Sequence, residues 1–340
     1  MKFEKLESLR GFAAMYVLIH HLKIGQGTKL ALLTMQGQVA VMLFFVLSGF
    51  VIMYSSRKKV NYSFKEYFIK RFRRIYPVLI AAMAFAYIMA SINAKEFLPL
   101  KPLEMLGNLL NLQDMGRHPG QWFDAYYGNT PLWSLTYEWW FYMLFFPIFR
   151  FVNYAKQKWV ALALSVTGFI TYYIHPNQIS IILEYFILWW WGVELARIWV
   201  ETKDFKLSSM KFITGSFVLM FSMLLFQQFM STEEFRIGFH PFIELRHFAY
   251  CFILIGLGLL WRKMKYVGYK YTFRLFLWFA PISYGIYVFH YPIMMKYNLG
   301  FPGGKIVQLI VMFFIVLLLS HLIEVVLQKR VNRWSNKFIK

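Results

Sequence analysis

A single cysteine, Cys251, stands in 340 residues, so the chain can form neither an intrachain disulfide nor a cysteine metal cluster. Acidic residues are scarce: 16 Asp and Glu face 37 Lys and Arg, a net charge of +21. No HExxH or other recognisable His/acid metal motif occurs, and no metal is expected. An Ala-x-Ala-like cleavage site is missing after the first apolar run, which is therefore expected to be a retained span. Internal repeats, low-complexity tracts and an appended soluble domain are also missing, so residues 1–340 are expected to form one membrane domain. In a soluble chain so much positive charge would suggest nucleic acid. Here the basic residues lie between apolar blocks, and no basic-aromatic recognition module is visible. Nucleic acid is excluded as a partner.

What remains is apolar. Hydrophobic residues make up 59% of the chain and aromatics 21%, arranged in blocks of about the ~20 residues that span a bilayer. The pattern predicts ten helices, near 9–24, 37–55, 75–94, 131–149, 159–175, 180–200, 210–229, 243–261, 274–296 and 304–327. Loops facing the cytoplasm carry the excess of Lys and Arg. With ten spans, 28 of the 37 basic residues fall on one side, including Arg57 to Arg74, Arg262 to Arg274 and Lys329 to Lys340. The expected fold is an all-α integral membrane bundle of about ten transmembrane helices with both termini cytoplasmic. The long connection at 95–130, rich in Pro and Gly, ends in QWFDAYYGNTP. It is expected either to cover an opening or contact an acceptor, or to be a plain surface loop. Tryptophans such as Trp189 to Trp191 are expected at lipid-facing or interfacial positions.

The stretch Leu6 to His21, LESLRGFAAMYVLIHH, places Arg10 and His21 eleven residues apart. Eleven helical residues rise about 16 Å and turn nearly three times, so these two share one face while His20 points about 100° away. A cation and an imidazole on an apolar helix usually face a protein interior or a water-filled site. Glu138, about 10 Å below the outer end of its helix, lies at nearly the depth of His21, about 12 Å below the outer surface of a ~30 Å core. A carboxylate beside an imidazole would fix its tautomer. A packing acid bonded to neighbouring Trp or Tyr is the competing reading for Glu138, and a hydrogen-bonded packing histidine for His21. Two local pairs at i,i+3 spacing, Glu244 with His247 and His321 with Glu324, can form on their own helices.

Several of these segments resemble one family. LESLRGFAAMYVLIHH is similar to the opening of the acyltransferase-3 family of membrane O-acyltransferases, LDGLRGIAAxxVxxxH, whose hallmark Arg-x10-His pair falls on Arg10 and His21. FFVLSGFVI (Phe44 to Ile52) resembles FFxLSGFxI, and KRFRRIYP (Lys70 to Pro77) resembles a basic RxxR-I-x-P segment with Arg71 and Arg74 at its arginines. PLWSLTYEWWFY (Pro131 to Tyr142) is similar to LWSLxxExxFY, with the acid at Glu138. ISYGIYVFHYPI (Ile282 to Ile293) resembles SYxIYLxHxP, with His290 in the histidine slot, and SHLIE (Ser320 to Glu324) resembles S-x-x-x-E. The matches run in order from residue 6 to 324. Departures are Glu7 for Asp, Ser8 for Gly, Val325 where proline commonly follows the last-helix Glu, and no extracytoplasmic hydrolase-like domain.

The resemblance implies transfer of an acyl group, most commonly acetyl, from acyl-CoA to a hydroxyl of a cell-envelope or exported sugar, at the bacterial cytoplasmic membrane. Acyl-CoA is then a co-substrate, with no bound cofactor, and the acceptor is a saccharide or glycolipid. His21 can deprotonate the acceptor near neutral pH, with Glu138 as its partner. Arg10, Arg71 and Arg74 suit donor phosphates, although juxtamembrane arginines also serve orientation and lipid binding. Ser48 is read first as a close-packing residue, then as channel lining or a nucleophile in a Ser-His relay. Tyr284 and His290 are possible site-lining residues. The rival class is a transporter or flippase of lipid-linked saccharides; a membrane sensor that binds acyl-CoA without turnover is the third reading.

Overall fold

The computed structural model describes residues 3–58, 63–296 and 304–338. Lys2, Lys59 and Lys340, counted above among the basic residues, lie outside them. The longer helices are α1 (Glu4–His21), α2 (Gly37–Ser56), α3 (Phe64–Ala94), α4 (Pro102–Leu109), α5 (Trp133–Phe151), α6 (Gln157–Ile174), α7 (Gln178–Thr202), α8 (Lys211–Met230), α9 (Phe242–Lys263), α10 (Ser283–His290), α11 (Gly304–His321) and α12 (Gln328–Ser335).

Six helical units among the described residues are long and apolar enough to cross a membrane: α2, α3, α7, α8 with its leading turn, α9, and the α11–α12 unit. This makes the chain a multi-pass membrane protein. It also corrects the expected ten-span bundle. Four predicted spans fail for identifiable reasons. Helix α1 carries Glu4, Lys5, Glu7 and Arg10 in its first two turns and two histidines in its last. Helices α5 and α6, 19 and 18 residues long, are not apolar enough, because they mix aromatics with polar groups such as Glu138, Gln157 and Lys158. The predicted 274–296 helix is broken. It begins as 3-10 turns (Phe273–Trp278 and Ala280–Ile282), is α-helical only over Ser283–His290, and ends in a π turn at Tyr291–Met295. Pro281 and Pro292 remove the backbone donors a continuous helix needs.

The centre of the bundle is α7. It packs on α2 so closely that a Cβ on Gly49 would lie 2.2 Å from the Trp189 carbonyl, and one on Gly192 would lie 2.1 Å from that of Val46. Small residues at such crossings let backbones approach. Trp189, Trp190 and Trp191 are consequently fully buried, not lipid-facing. Trp190 donates to Glu194 at 3.0 Å and Trp191 to Ser216 at 2.9 Å. Two of the three indoles on this enclosed helix thus find polar partners inside the bundle, while the Trp189 Nε1 is buried without one.

Basic segments distant in sequence gather at one end of the bundle. Arg73 reaches Asn336 at 2.8 Å, Arg262 the Lys203 carbonyl at 3.0 Å, and Lys5 sits over the Tyr266 ring. At the opposite end the 95–130 connection is ordered by α4 and a two-residue parallel ladder, Gln113–Asp114 against Phe123–Asp124. Asn108 ties the two halves by donating to the Asp124 carbonyl at 2.9 Å and accepting from the Tyr126 amide at 3.0 Å. The segment is therefore a built wall, with Met115, Arg117 and Thr130 lining a cavity.

Candidate active site

His21 ends α1 and His290 ends α10. Their rings meet with His290 Nε2 at 3.2 Å from His21 Nδ1. The network assigns the tautomers. A backbone carbonyl only accepts, so His290 Nδ1, 3.0 Å from the Ile286 carbonyl, carries the hydrogen and its Nε2 is an acceptor. His21 Nδ1–H is then shared between the Val17 carbonyl at 2.9 Å and His290 Nε2. The remaining nitrogen, His21 Nε2, keeps a free lone pair. His21 lines a cavity of about 510 Å³. His290 is fully buried behind it. The adjacent His20 turns to α2, where a Cβ on Gly37 would strike its ring at 2.5 Å.

Glu138 does not contact His21. It accepts from Ser48 Oγ at 3.0 Å and from the Tyr142 hydroxyl one turn along α5. The expected ring-to-carboxylate contact is replaced by a tyrosine-bonded acid, and Ser48 is bonded to that acid with no imidazole beside it. Equal depth places two side chains on one level without aiming them at each other. Glu138 lines a second cavity, about 160 Å³, together with Arg10, Arg71, Arg74, Ser48 and Tyr284.

The arginines are held there in different ways. Arg10 Nη2 pairs with Glu7 at 2.7 Å and donates to the Ala280 carbonyl at 2.9 Å. Arg10 and His21 thus both reach the 280–290 segment, as their shared helix face requires. Arg71 lies between the Tyr67 and Tyr142 rings, 5.5 Å from each centroid. Arg74 pairs at 2.9 Å with Glu324, whose other oxygen accepts from the Gly285 amide at 2.6 Å. Glu324 therefore bonds across the bundle, and the local His321–Glu324 pair is not formed. The local Glu244–His247 pair also gives way: Glu244 takes His240 at 2.6 Å and His247 takes the Tyr185 hydroxyl at 2.7 Å. Glu324 and His247 thus bond to other helices, whereas Glu244 takes a different local partner four residues back.

Tyr287 is the residue the sequence reading missed. It alone of the tyrosines at these sites lines both cavities. Its hydroxyl accepts from Ser134 at 2.8 Å, which leaves its own hydrogen free to donate. The available signal was its place three residues before His290, on the same face of a short helix. Arg117 and Arg246, both on the His21 cavity, were not singled out either, because one lies in a loop and the other in an unrelated helix.

A family model described as an acyltransferase domain matches residues 3–327. The chain belongs to this family, acyltransferase-3, whose motifs it carries. Among curated proteins it is similar to acyltransferase MdmB of Streptomyces mycarofaciens, 31% identical over 48% of this chain and 44% of that protein. It is also similar to peptidoglycan O-acetyltransferase OatA of Listeria monocytogenes, 23% identical over 85% of this chain and 49% of that protein. Putative acetyltransferase ORF330 of Acidianus two-tailed virus is 25% identical, over 88% and 85%. The chain spans about half the length of the first two relatives. No solved structure matches it.

Proposed function

We propose that this protein transfers an acyl group, in the simplest case acetyl, from acyl-CoA to a hydroxyl of an envelope or exported sugar at the bacterial cytoplasmic membrane. The observation that carries this reading is the pair of cavities that share Tyr287. One presents three guanidinium groups at the basic end of the bundle, and the other presents the free Nε2 of His21. Arg10, Arg71 and Arg74 would hold donor phosphates, and the thioester would reach toward Tyr287. The acceptor hydroxyl gives its proton to His21 Nε2, and its oxygen attacks the thioester carbonyl. The C–S bond breaks, and the leaving thiolate takes the proton back from the imidazolium. His290 supports the first step by holding His21 in the tautomer that leaves Nε2 bare. Glu138, bonded to Ser48 and Tyr142, shapes the donor cavity and offsets the charge of its arginines. Enclosure in the bundle limits hydrolysis of the thioester.

Family membership favours this over the transporter reading, for which no observation speaks. The test is labelled acetyl transfer from acetyl-CoA to envelope glycans in membranes holding wild type or His21→Ala at equal levels. The base accounts for roughly 10²- to 10⁴-fold in rate, so label in wild type and almost none in the variant is expected. Undiminished label in the variant would remove His21 from the mechanism.

A further inference from the structure

The cavity at His21 is cationic without counter-charge. Lys23, Arg117 and Arg246 line it, with His20 and His21, and among the described residues no Asp or Glu does. Arg246 reaches the neutral amide of Gln38 and lies over the Tyr250 ring, neither of them an anion, and its Nε is buried without a hydrogen-bond partner. Arg117 bonds weakly to the Gly238 carbonyl at 3.5 Å. Of the acids toward this end, Asp114 bonds His118 and Tyr137 and Glu244 bonds His240, while Glu184 is buried with both oxygens unpartnered and does not line this cavity. Arg117 also lines a neighbouring cleft that holds Glu233 and Glu234, where Glu234 pairs with Arg236 at 3.0 Å.

Clustered like charges in a partly desolvated cavity repel one another, and an anion relieves them. We infer that the acceptor carries an anionic group, a carboxylate or phosphate, which docks on Arg246 and Arg117 and sets its hydroxyl at His21 Nε2. The inference rests on the acyl-transfer reading and names the acceptor's chemical class. Guanidinium forks match both oxyanions. The bound anion also stabilises the imidazolium as it forms on His21. A neutral glycan would leave the three cations uncompensated, and an amine-bearing acceptor would add to their repulsion.

The full chain in phosphatidylcholine nanodiscs is given labelled acetyl-CoA and envelope glycans separated by anion exchange into anionic and neutral pools. Each pool is divided into solvent-extractable and water-soluble fractions, so that a lipid-linked phosphate and a polymer carboxylate are told apart. Label is expected in the anionic pool. Arg246→Gln should raise KM for that pool ~10-fold, the loss of one charge-assisted hydrogen bond, with KM for acetyl-CoA unchanged. Arg117→Gln at the rim and about 0.5 M salt should act in the same direction. Equal labelling of the neutral pool, or an acceptor KM indifferent to both substitutions, would overturn the inference and leave acyl transfer standing. Absence of transfer to either pool would instead refute the acyl-transfer reading, and this inference with it.

Discussion

His290 Nε2 stands 3.2 Å from His21 Nδ1, and the Ile286 carbonyl obliges it to accept. The partner that orients the α1 imidazole is thus a second imidazole. A carboxylate would neutralise the charge that develops on His21; a neutral histidine only fixes its direction, which leaves charge compensation to other groups.

Removing that orientation should lower kcat. For His290→Ala the expected loss is ~10- to 100-fold, one or two oriented hydrogen bonds, with KM for acyl-CoA unchanged. His290→Gln, whose amide oxygen can accept from His21 Nδ1–H, should recover much of the rate. Equal losses in both variants, accompanied by lowered melting temperatures, would show that His290 is only a packing residue.

Arg71 and Arg74 should separate on stability. Both line the donor cavity, but only Arg74 pairs with a fully buried acid, Glu324. Arg74→Ala strands that carboxylate, at a cost of about 3 kcal/mol, and its melting temperature in detergent should fall. Arg71→Ala leaves no buried charge unpaired and should melt near wild type. Acyl-CoA titration should show raised KM in both. An unchanged KM in Arg71→Ala would remove it from donor binding.

The ordered wall at the outer end has its own pH window. Burial opposes the charge on both Asp114 and His118, but their 3.3 Å contact, with the Met115 amide and Tyr137 hydroxyl on Asp114, outweighs it. His118 is held above its ordinary 6.5 and Asp114 below its ordinary 3.8. The imidazole's contribution is complete below its unfolded pKa and is lost as pH rises through the raised folded one. The carboxylate's is complete above its unfolded pKa and is lost as pH falls through the depressed folded one. The pair should therefore stabilise most between about pH 4 and 6.5. Measured as melting temperature, the advantage of wild type over His118→Gln should shrink between pH 6.5 and 9. A constant difference would contradict this.

Close approach of α2 and α7 predicts a contrast between two glycines. A methyl on Gly192 meets the Val46 carbonyl at 2.1 Å, whereas one on Gly258 in α9 meets nothing within 4 Å. Gly192→Ala should destabilise by ~1 to 3 kcal/mol, the usual effect of overpacking. Gly258→Ala should be neutral or slightly stabilising through helix propensity. Thermal unfolding of the two variants side by side is the check, and equal behaviour would contradict the packing described.

Local periodicity and motif order were readable without coordinates. Arg10 and His21 share a face because eleven residues is close to three turns, and both do reach the 280–290 segment. The cluster of Arg10, Arg71, Arg74, Glu138 and Tyr284 around one cavity follows the family motifs. Runs of apolar residues located the helices, but not which of them suffice to span. The polar start of α1 and the prolines that break the 274–296 segment matter at the level of single turns, below what a hydropathy window resolves.

Helical rise sets a side chain's depth from sequence alone, since it is fixed by the peptide backbone. Its direction around the bundle depends on how each helix is rotated against its neighbours. Contacts between residues far apart in the chain set that rotation: Gly49 on Trp189, Gly192 on Val46, and Gly11 against the Phe276 carbonyl, 2.0 Å from a Cβ placed there. That is why Glu138 and His21 could be put at one level from the sequence yet face different cavities. It is also why His290, Tyr287 and Arg246 join the α1 histidine only once the helices are packed.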